Sequence, residues 1–376
     1  MTIVADGRQG GTSETNRQAK RWLWLASVFS PLIPGICAVL YLNGGGVWWV
    51  LFSPLFFYGF VPLLDALVGE DPFNPPEKDV DELSEDPWYR ALLFASVPAG
   101  WFSVIVCAIA AADPGTPLWA FVMLALSAAI ISGGAITVGH ELGHKPNALD
   151  QWGAKFANAA SGYGHFCIEH NRGHHVLVAT PEDPASARYG ESVWHFAARE
   201  IPGALRRGWA LERERLAKKG LPFWHWRNDI LQGYVITLAV TLALTALFGW
   251  KIIPFMAIAC PVGWLHLTFA NYVEHYGLKR DRRPDGRYMP CEPRHSWNTN
   301  HIVSNLMLFH LQRHSDHHAN PLRPYQALRS FDHLPTLPSG YPGSFVLAAI
   351  PPLWFSVMNP KVLAWAGGDM EKVNRG

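Results

Sequence analysis

The sequence predicts an all-α, six-span integral membrane protein with a helical histidine-box domain on the cytoplasmic side. Three observations predict it. Six apolar stretches of membrane-crossing length are joined alternately by minimal turns and by long polar connections. Lys and Arg gather on one set of those connections only. Nine histidines in four tight clusters all follow an even number of spans.

Composition agrees with this class. Of 376 residues, 49% are hydrophobic, with 17 Trp and 20 Phe. Only 16% are charged, against roughly a quarter in soluble domains. A mean hydropathy of +0.05 leaves a substantial polar part beside the spans. The net charge of +1 argues against a polyanionic partner such as nucleic acid. The five cysteines are scattered with no CxxC pair, which argues against a disulfide framework or an iron–sulfur site.

Residues 1–21 form a polar tail without the apolar core and small-residue cleavage site of a signal peptide. The expected spans are 22–42, 47–67, 91–111, 118–136, 230–248 and 252–272, each near the ~20 residues that cross hydrocarbon. They pair as three hairpins with turns at 43–46, 112–117 and 249–251. The chain reads as one membrane-embedded domain over 1–376. Four spans lie within 22–136, a histidine-box region at 137–229, two spans at 230–272 and a second histidine-box region at 273–376. A weaker apolar stretch, 345–357, contains Pro351-Pro352. It is too short and broken to span, and lies at the interface or packs on the domain.

Orientation follows from the cations. Arg17, Lys20 and Arg21 precede the first span, eight Lys or Arg from Arg199 to Arg227 precede the fifth, and Lys279, Arg280, Arg282, Arg283 and Arg287 follow the sixth. The tight turns hold one basic residue, Lys251. Both termini and every long connection are therefore expected in the cytoplasm. His140 and His144 (HELGHK), with His170, His174 and His175 (EHNRGHH), follow four spans. His275 (VEHYGL), with His314, His317 and His318 (RHSDHH), follows six. All nine thus share one side. A helix over 118–145, about 42 Å long, would leave the hydrocarbon just before His140.

Imidazole is the commonest metal ligand. His140 and His144 are i, i+4 on a helix and share a face; His170 and His174 repeat that spacing. The doublets His174-His175 and His317-His318 point about 100° apart on a helix, so one cluster can feed two ions. Nine ligands exceed the needs of one ion and suit two. An all-nitrogen set suits iron, zinc, copper or nickel. Two irons with positions open to dioxygen match the count better than structural zinc, which takes four ligands.

Glu141, Glu169, Glu274 and Asp316 each adjoin a ligand histidine, where carboxylates commonly fix the imidazole tautomer; a helix-surface charge is the competing reading. His301 and His310 stand near enough to support the ligands. His195, His225, His266 and His333 read as packing or surface residues. Above His140, the small residues Ala125, Ala129 and Gly133 leave a strip that serves an alkyl channel or close helix packing. The run Phe56-Phe57-Tyr58-Gly59, between Pro54 and Pro62, forms a pocket floor or faces lipid.

The motifs HELGHK, IEHNRGHH, NYVEHYGL and LQRHSDHH, in this order, resemble the membrane-bound alkane 1-monooxygenase family, the rubredoxin-dependent alkane ω-hydroxylases. The stretches ATPEDPASARYGES, SWNTNHIVSNL and LPSGYPGSF resemble it too. The fold resembles the wider fatty acid desaturase/hydroxylase superfamily, although desaturase boxes usually read HxxHH. The resemblance implies two non-haem irons held by the nine histidines named above. It implies insertion of one oxygen atom from O2 into the terminal methyl of medium-chain n-alkanes, giving 1-alkanols. It also implies electrons from rubredoxin, a separate chain served by an NADH-linked reductase, and a bacterial inner-membrane location. The position that limits chain length in the family corresponds to Phe57. The basic stretch 279–287 is a candidate dock for an acidic partner.

Two rival readings have physical counts against them. A fatty-acid hydroxylase would want a fixed cation near the channel mouth, and the spans contain none. A metal transporter needs ionisable groups near mid-membrane, and His266 is the one histidine inside an expected span.

Overall fold

Helices α1 (Lys20–Leu42), α2 (Trp48–Val68), α3 (Pro87–Ala112) and α4 (Leu118–Gly143) are the first four of six membrane-length apolar helices. They belong to a computed structural model that describes residues 20–376 except 72 and 332. The tail over 1–19, with Arg17, lies outside the described residues. The chain continues through α5 (Ala148–Ala159) and the histidine-bearing helical segment α6 (166–177). Then follow α7 (Val193–Lys218), α8 (Asp229–Phe248) and α9 (Ile252–His275). The last part holds α10 (Ile302–Met307), α11 (His314–Ala319), α12 (Tyr341–Ala348) and α13 (Pro351–Trp365). Among the described residues there are isolated β-bridges but no strands.

Local chemistry sets the ends. Asp86 accepts from the Trp88 N–H at 2.9 Å and Pro87 opens α3, the position where a missing N–H costs nothing. Asn228 caps α8 through Ile230 N and Leu231 N, and Gly249 ends it at φ 95°. The bundle is apolar outside. Leu63, Leu67, Val235, Leu238, Leu242 and Leu247 are all exposed, as lipid contact requires.

Helix α4 is the axis of the bundle: 67% of its most apolar window is buried, against 17% for α8. Its Ala125, Ala128, Ala129, Ser132 and Gly133 let α3 and α9 approach closely. A Cβ on Gly133 would stand 2.6 Å from the Cβ of His266 on α9, so only glycine permits this crossing. Helices α4 and α9 both deliver their C-terminal ends, with His140 and His275, to the same end of the bundle. The C-terminal apolar stretch breaks between α12 and α13 at 115°. Helix α13 packs on the histidine-bearing domain, with Trp354 against Tyr272 and Tyr276 of α9.

Two π-helical turns interrupt the helices. One is Phe56–Phe60 in α2; Pro62 has no N–H for the carbonyl of Tyr58, four residues back, so the α ladder cannot run through. The other is His170–His174 in α6.

Candidate metal centre and its cavity

The four histidine clusters converge into two neighbouring groups. His140, His144, His170, His175 and His317 form one; His174, His275, His314 and His318 form the other. Within each group the candidate ligand atoms lie within 4.8 Å of one another. All nine sequence-selected histidines are used.

The partnering differs from the spacing argument. His170 and His174 do not share a group. The π turn closes at i→i+5, bringing His170 Nε2 to 3.0 Å from His175 Nε2 and turning His174 to the other group. A Cβ on Gly173 would meet Arg207 Nε at 2.5 Å, so the glycine lets this turn sit against α7. On α11 the α geometry holds. His314 Nε2 and His318 Nε2 are 2.8 Å apart. His317 points away to His175, with the Nε2 atoms 3.2 Å apart.

These contacts fit a metal centre. Several ring nitrogens approach one another with no carboxylate between them, and His140 Nε2, His144 Nε2, His174 Nε2 and His275 Nε2 are buried without a hydrogen-bond partner. Burial first, then the neighbouring imidazoles, holds His170, His175, His314, His317 and His318 well below the usual histidine pKa. Burial does the same for His144, helped by His140 and Lys145. These rings are neutral at pH 7, the form that binds metal. The donor set is nitrogen throughout, as first-row transition metals accept.

Of the four candidate carboxylates, one reaches a histidine of the two groups. Glu274 Oε2 lies 3.2 Å from His314 Nε2, and Tyr341 donates to Glu274 Oε1 at 2.6 Å. Glu169 pairs with Arg207, its Oε1 2.7 Å from Nε. Glu141 pairs with Lys145 at 3.0 Å, and Asp316 with Arg323 at 3.0 Å. These three carboxylates bind neighbouring cations and no ligand ring.

Asp183 escaped the sequence reading. It is fully buried, its Oδ2 2.8 Å from His174 Nδ1 and its Oδ1 2.8 Å from Arg207 Nη2. The backbone oxygen of His295 plays the same part for His275 Nδ1, at 3.3 Å. Neither follows from spacing: Asp183 sits in an irregular loop, where the DPAS turn at 183–186 was its signal, and His295 ends the single 3-10 turn Pro293–His295. His310 supports no ligand ring. It joins a buried network in which Lys20 bonds Asp71 and approaches His310 at 3.1 Å, and Arg313 meets Asp71 at 3.0 Å. His301 contacts Thr299 Oγ1 at 2.6 Å.

An apolar cavity of about 90 Å³ ends on His140, His170 and His314, with Phe57, Gly133 and Glu274 in its wall. A second, of about 320 Å³, lies between α2, α4, α9 and α12, with Leu126, Val262 and Val346 among its lining. Ala129 lines neither and is fully buried; its small side chain serves helix packing. His266, read from sequence as a packing residue, lines both.

A helical membrane bundle with a buried imidazole cluster at one end defines a class, and residues 117–346 match the fatty acid desaturase family. Full-length relatives narrow it. The chain is 50% identical to the alkane 1-monooxygenase of Pseudomonas putida over 94% of its own length and 88% of the relative's. It is 47% identical to alkane 1-monooxygenase 1 of Alcanivorax borkumensis, over 97% and 91%. A xylene/toluene monooxygenase hydroxylase component of Pseudomonas putida is 28% identical over 64% of each chain. The chain belongs to the alkane 1-monooxygenase family and is an oxidoreductase of the monooxygenase class.

Proposed function

We propose that this protein is a non-haem diiron alkane 1-monooxygenase that converts medium-chain n-alkanes to 1-alkanols with electrons from a separate rubredoxin. The observation that carries the reading is the pair of all-imidazole groups at the foot of an apolar cavity. One iron would be held by His140, His144, His170, His175 and His317, the other by His174, His275, His314 and His318. Bound iron would supply dioxygen reduction and the oxidising power to cleave a terminal C–H bond.

The rest is the work of this chain. Asp183 and the His295 carbonyl hold the Nδ1 protons of His174 and His275, leaving each Nε2 free for metal. Phe57, Ile136, Phe166 and Leu311 line the approach and exclude water. A terminal C–H bond is stronger than an internal one, so terminal attack requires a passage that presents only the chain end. The bulk of Phe57 favours medium chains. Glu274 is the one acid in the cavity wall and, tethered by Tyr341, is placed to hold a proton beside the ligands.

The cation distribution supports an inner-membrane protein with cytoplasmic termini and a cytoplasmic metal centre, where rubredoxin and its NADH-linked reductase operate. The test is the purified, iron-loaded protein with rubredoxin, reductase, NADH and a ladder of n-alkanes. Two irons per chain and 1-octanol from octane are expected. Absence of bound iron, or no alcohol from any alkane, overturns the reading.

A further inference from the structure

Tyr58, Ile130, His266 and Phe345 line both cavities and form the neck between them. Two of the four are polar; they are the polar members of the outer cavity's lining, whereas the inner cavity also carries Thr137, Asn271, Glu274 and Tyr341 beside its histidines. His266 Nδ1 donates to the Val262 carbonyl at 2.7 Å. That bond fixes the tautomer and leaves Nε2 as an acceptor. Among the described residues no protein group bonds Nε2 or the Tyr58 hydroxyl. The two rings lie 6.0 Å apart.

Resting on the function proposed above, we propose that His266 and Tyr58 form a hydroxyl-binding station, which lets the enzyme hydroxylate the far end of medium-chain primary alcohols to give α,ω-diols. The spacing supports it. His266 sits level with Gly133, seven residues above His140 on α4, or roughly 10 Å at 1.5 Å per residue. An extended chain advances roughly 1.2 Å per bond, so about eight bonds separate the station from the ligands. A 1-alkanol of that length whose hydroxyl donates to His266 Nε2 puts its methyl end at the metal centre. An alkane of any length meets the same neck without using either polar group.

The step balances as alkane hydroxylation does. One terminal C–H bond breaks, and C–O and O–H bonds form with one atom of O2. The other atom leaves as water, taking two protons and the two electrons of the same donor protein. The alternative orientation, hydroxyl first, would place the carbinol C–H at the metals and give the aldehyde.

The product ratio therefore reads the station directly. Iron-loaded protein with its electron donors is given 1-octanol, and 1,8-octanediol and octanal are quantified, with octane as a parallel substrate. Diol is expected to dominate in the parent. In H266L and Y58F the diol-to-aldehyde ratio should fall about tenfold, the worth of one neutral hydrogen bond, and H266Q, which keeps an acceptor, should restore most of it. Y58F and H266Q decide the matter if H266L does not fold. Octanal as the sole product of the parent, or a ratio unchanged in the variants while octane is still hydroxylated, overturns the station. Failure on octane itself overturns the underlying function instead.

Discussion

Asp183 Oδ2 stands 2.8 Å from His174 Nδ1, both side chains essentially buried, while His174 Nε2 has no partner. The carboxylate thereby assigns the tautomer: Nδ1 carries the proton and Nε2 the free lone pair. Burial lowers the His174 pKa, but the charge and hydrogen bond of Asp183 outweigh it and raise it, opposite to most of the other ligand rings. Asp183 also accepts from Ser186 Oγ at 2.7 Å and from Arg207. Replacing it with Asn keeps the shape and removes the charge. Metal affinity should fall roughly 10–100-fold, read by chelator competition. Replacing it with Ala leaves Arg207 paired with Glu169 but strips His174 Nδ1 of its acceptor, and should cost about 1–3 kcal/mol of stability, read by thermal unfolding.

The split of the nine histidines into two groups predicts separable losses. His144→Ala removes one ligand from the five-member group, and His318→Ala one from the four-member group. Each should lower bound metal toward one ion per chain by elemental analysis. His174→Ala should resemble His318→Ala, and His170→Ala should resemble His144→Ala. If His170→Ala and His174→Ala gave the same metal loss and spectroscopic change, the π-turn assignment would be wrong.

Much of this was legible beforehand, for identifiable reasons. Six spans and three tight hairpins follow from apolar run lengths, because the bilayer fixes one length. The convergence of the nine histidines into two neighbouring groups follows from their clustering. The pairing of ligands was not legible, because i, i+4 reasoning presumes an α-helix, and the π turn at His170–His174 shifts the matching position to i+5. Asp183 was hidden because a loop residue carries no periodicity; only the fold of 178–186 beneath α7 aims it at His174. The surroundings of His266 were hidden for a related reason. From sequence it is a lone polar residue on an apolar helix, and only the facing Gly133 and Tyr58 reveal a neck around it.

The same buried imidazoles predict acid sensitivity of the metal-free protein. His144, His170, His175, His314, His317 and His318 all have folded pKa values well below 6.5. Between that lowered value and about 6.5, the unfolded chain binds protons that the folded chain does not, so stability rises with pH. The metal-free protein should therefore lose melting temperature steadily as pH falls from about 7 toward 5. Metal should raise the melting temperature at pH 7 by mass action, and a chelator should reverse the gain. A melting temperature flat across this range would place the rings in water.

The Lys20–Asp71–Arg313 network ties the start of α1 and the loop after α2 to the residue before His314. Arg313 also donates to the carbonyls of Leu328 at 2.8 Å and Phe73 at 2.9 Å. Burial would raise the Asp71 pKa, but the His310 hydrogen bond and the charges of Lys20 and Arg313 hold it below the usual carboxylate range. Its contribution is therefore complete above about pH 3.9 and lost as pH falls through the lowered value. At neutral pH, Arg313→Ala leaves Asp71 its Lys20 partner but takes the donor from the Leu328 and Phe73 carbonyls, and should destabilise by about 1–3 kcal/mol. Because Arg313 also anchors the start of α11, metal content should fall with it. Arg313→Lys keeps the charge but loses the planar fork, and should recover only part of both losses.

Phe57 gives the last prediction. Its ring is buried in α2 at the π turn, stacks edge-on with Phe56 at 5.2 Å between centroids, and closes part of the inner cavity. Phe57→Leu removes volume at the wall while remaining apolar, so water exclusion is kept and stability falls by about 0.5–3 kcal/mol. The freed space lets a longer chain fold past the neck and still present its end. Over a ladder of n-alkanes, kcat/KM for long relative to medium chains should rise roughly tenfold or more, the discrimination a hydrophobic pocket gives for a methylene or so of fit. Octane turnover should fall, because a looser wall positions the short chain less well. A product profile identical to the parent's would remove Phe57 from the substrate path and leave its ring to helix packing alone.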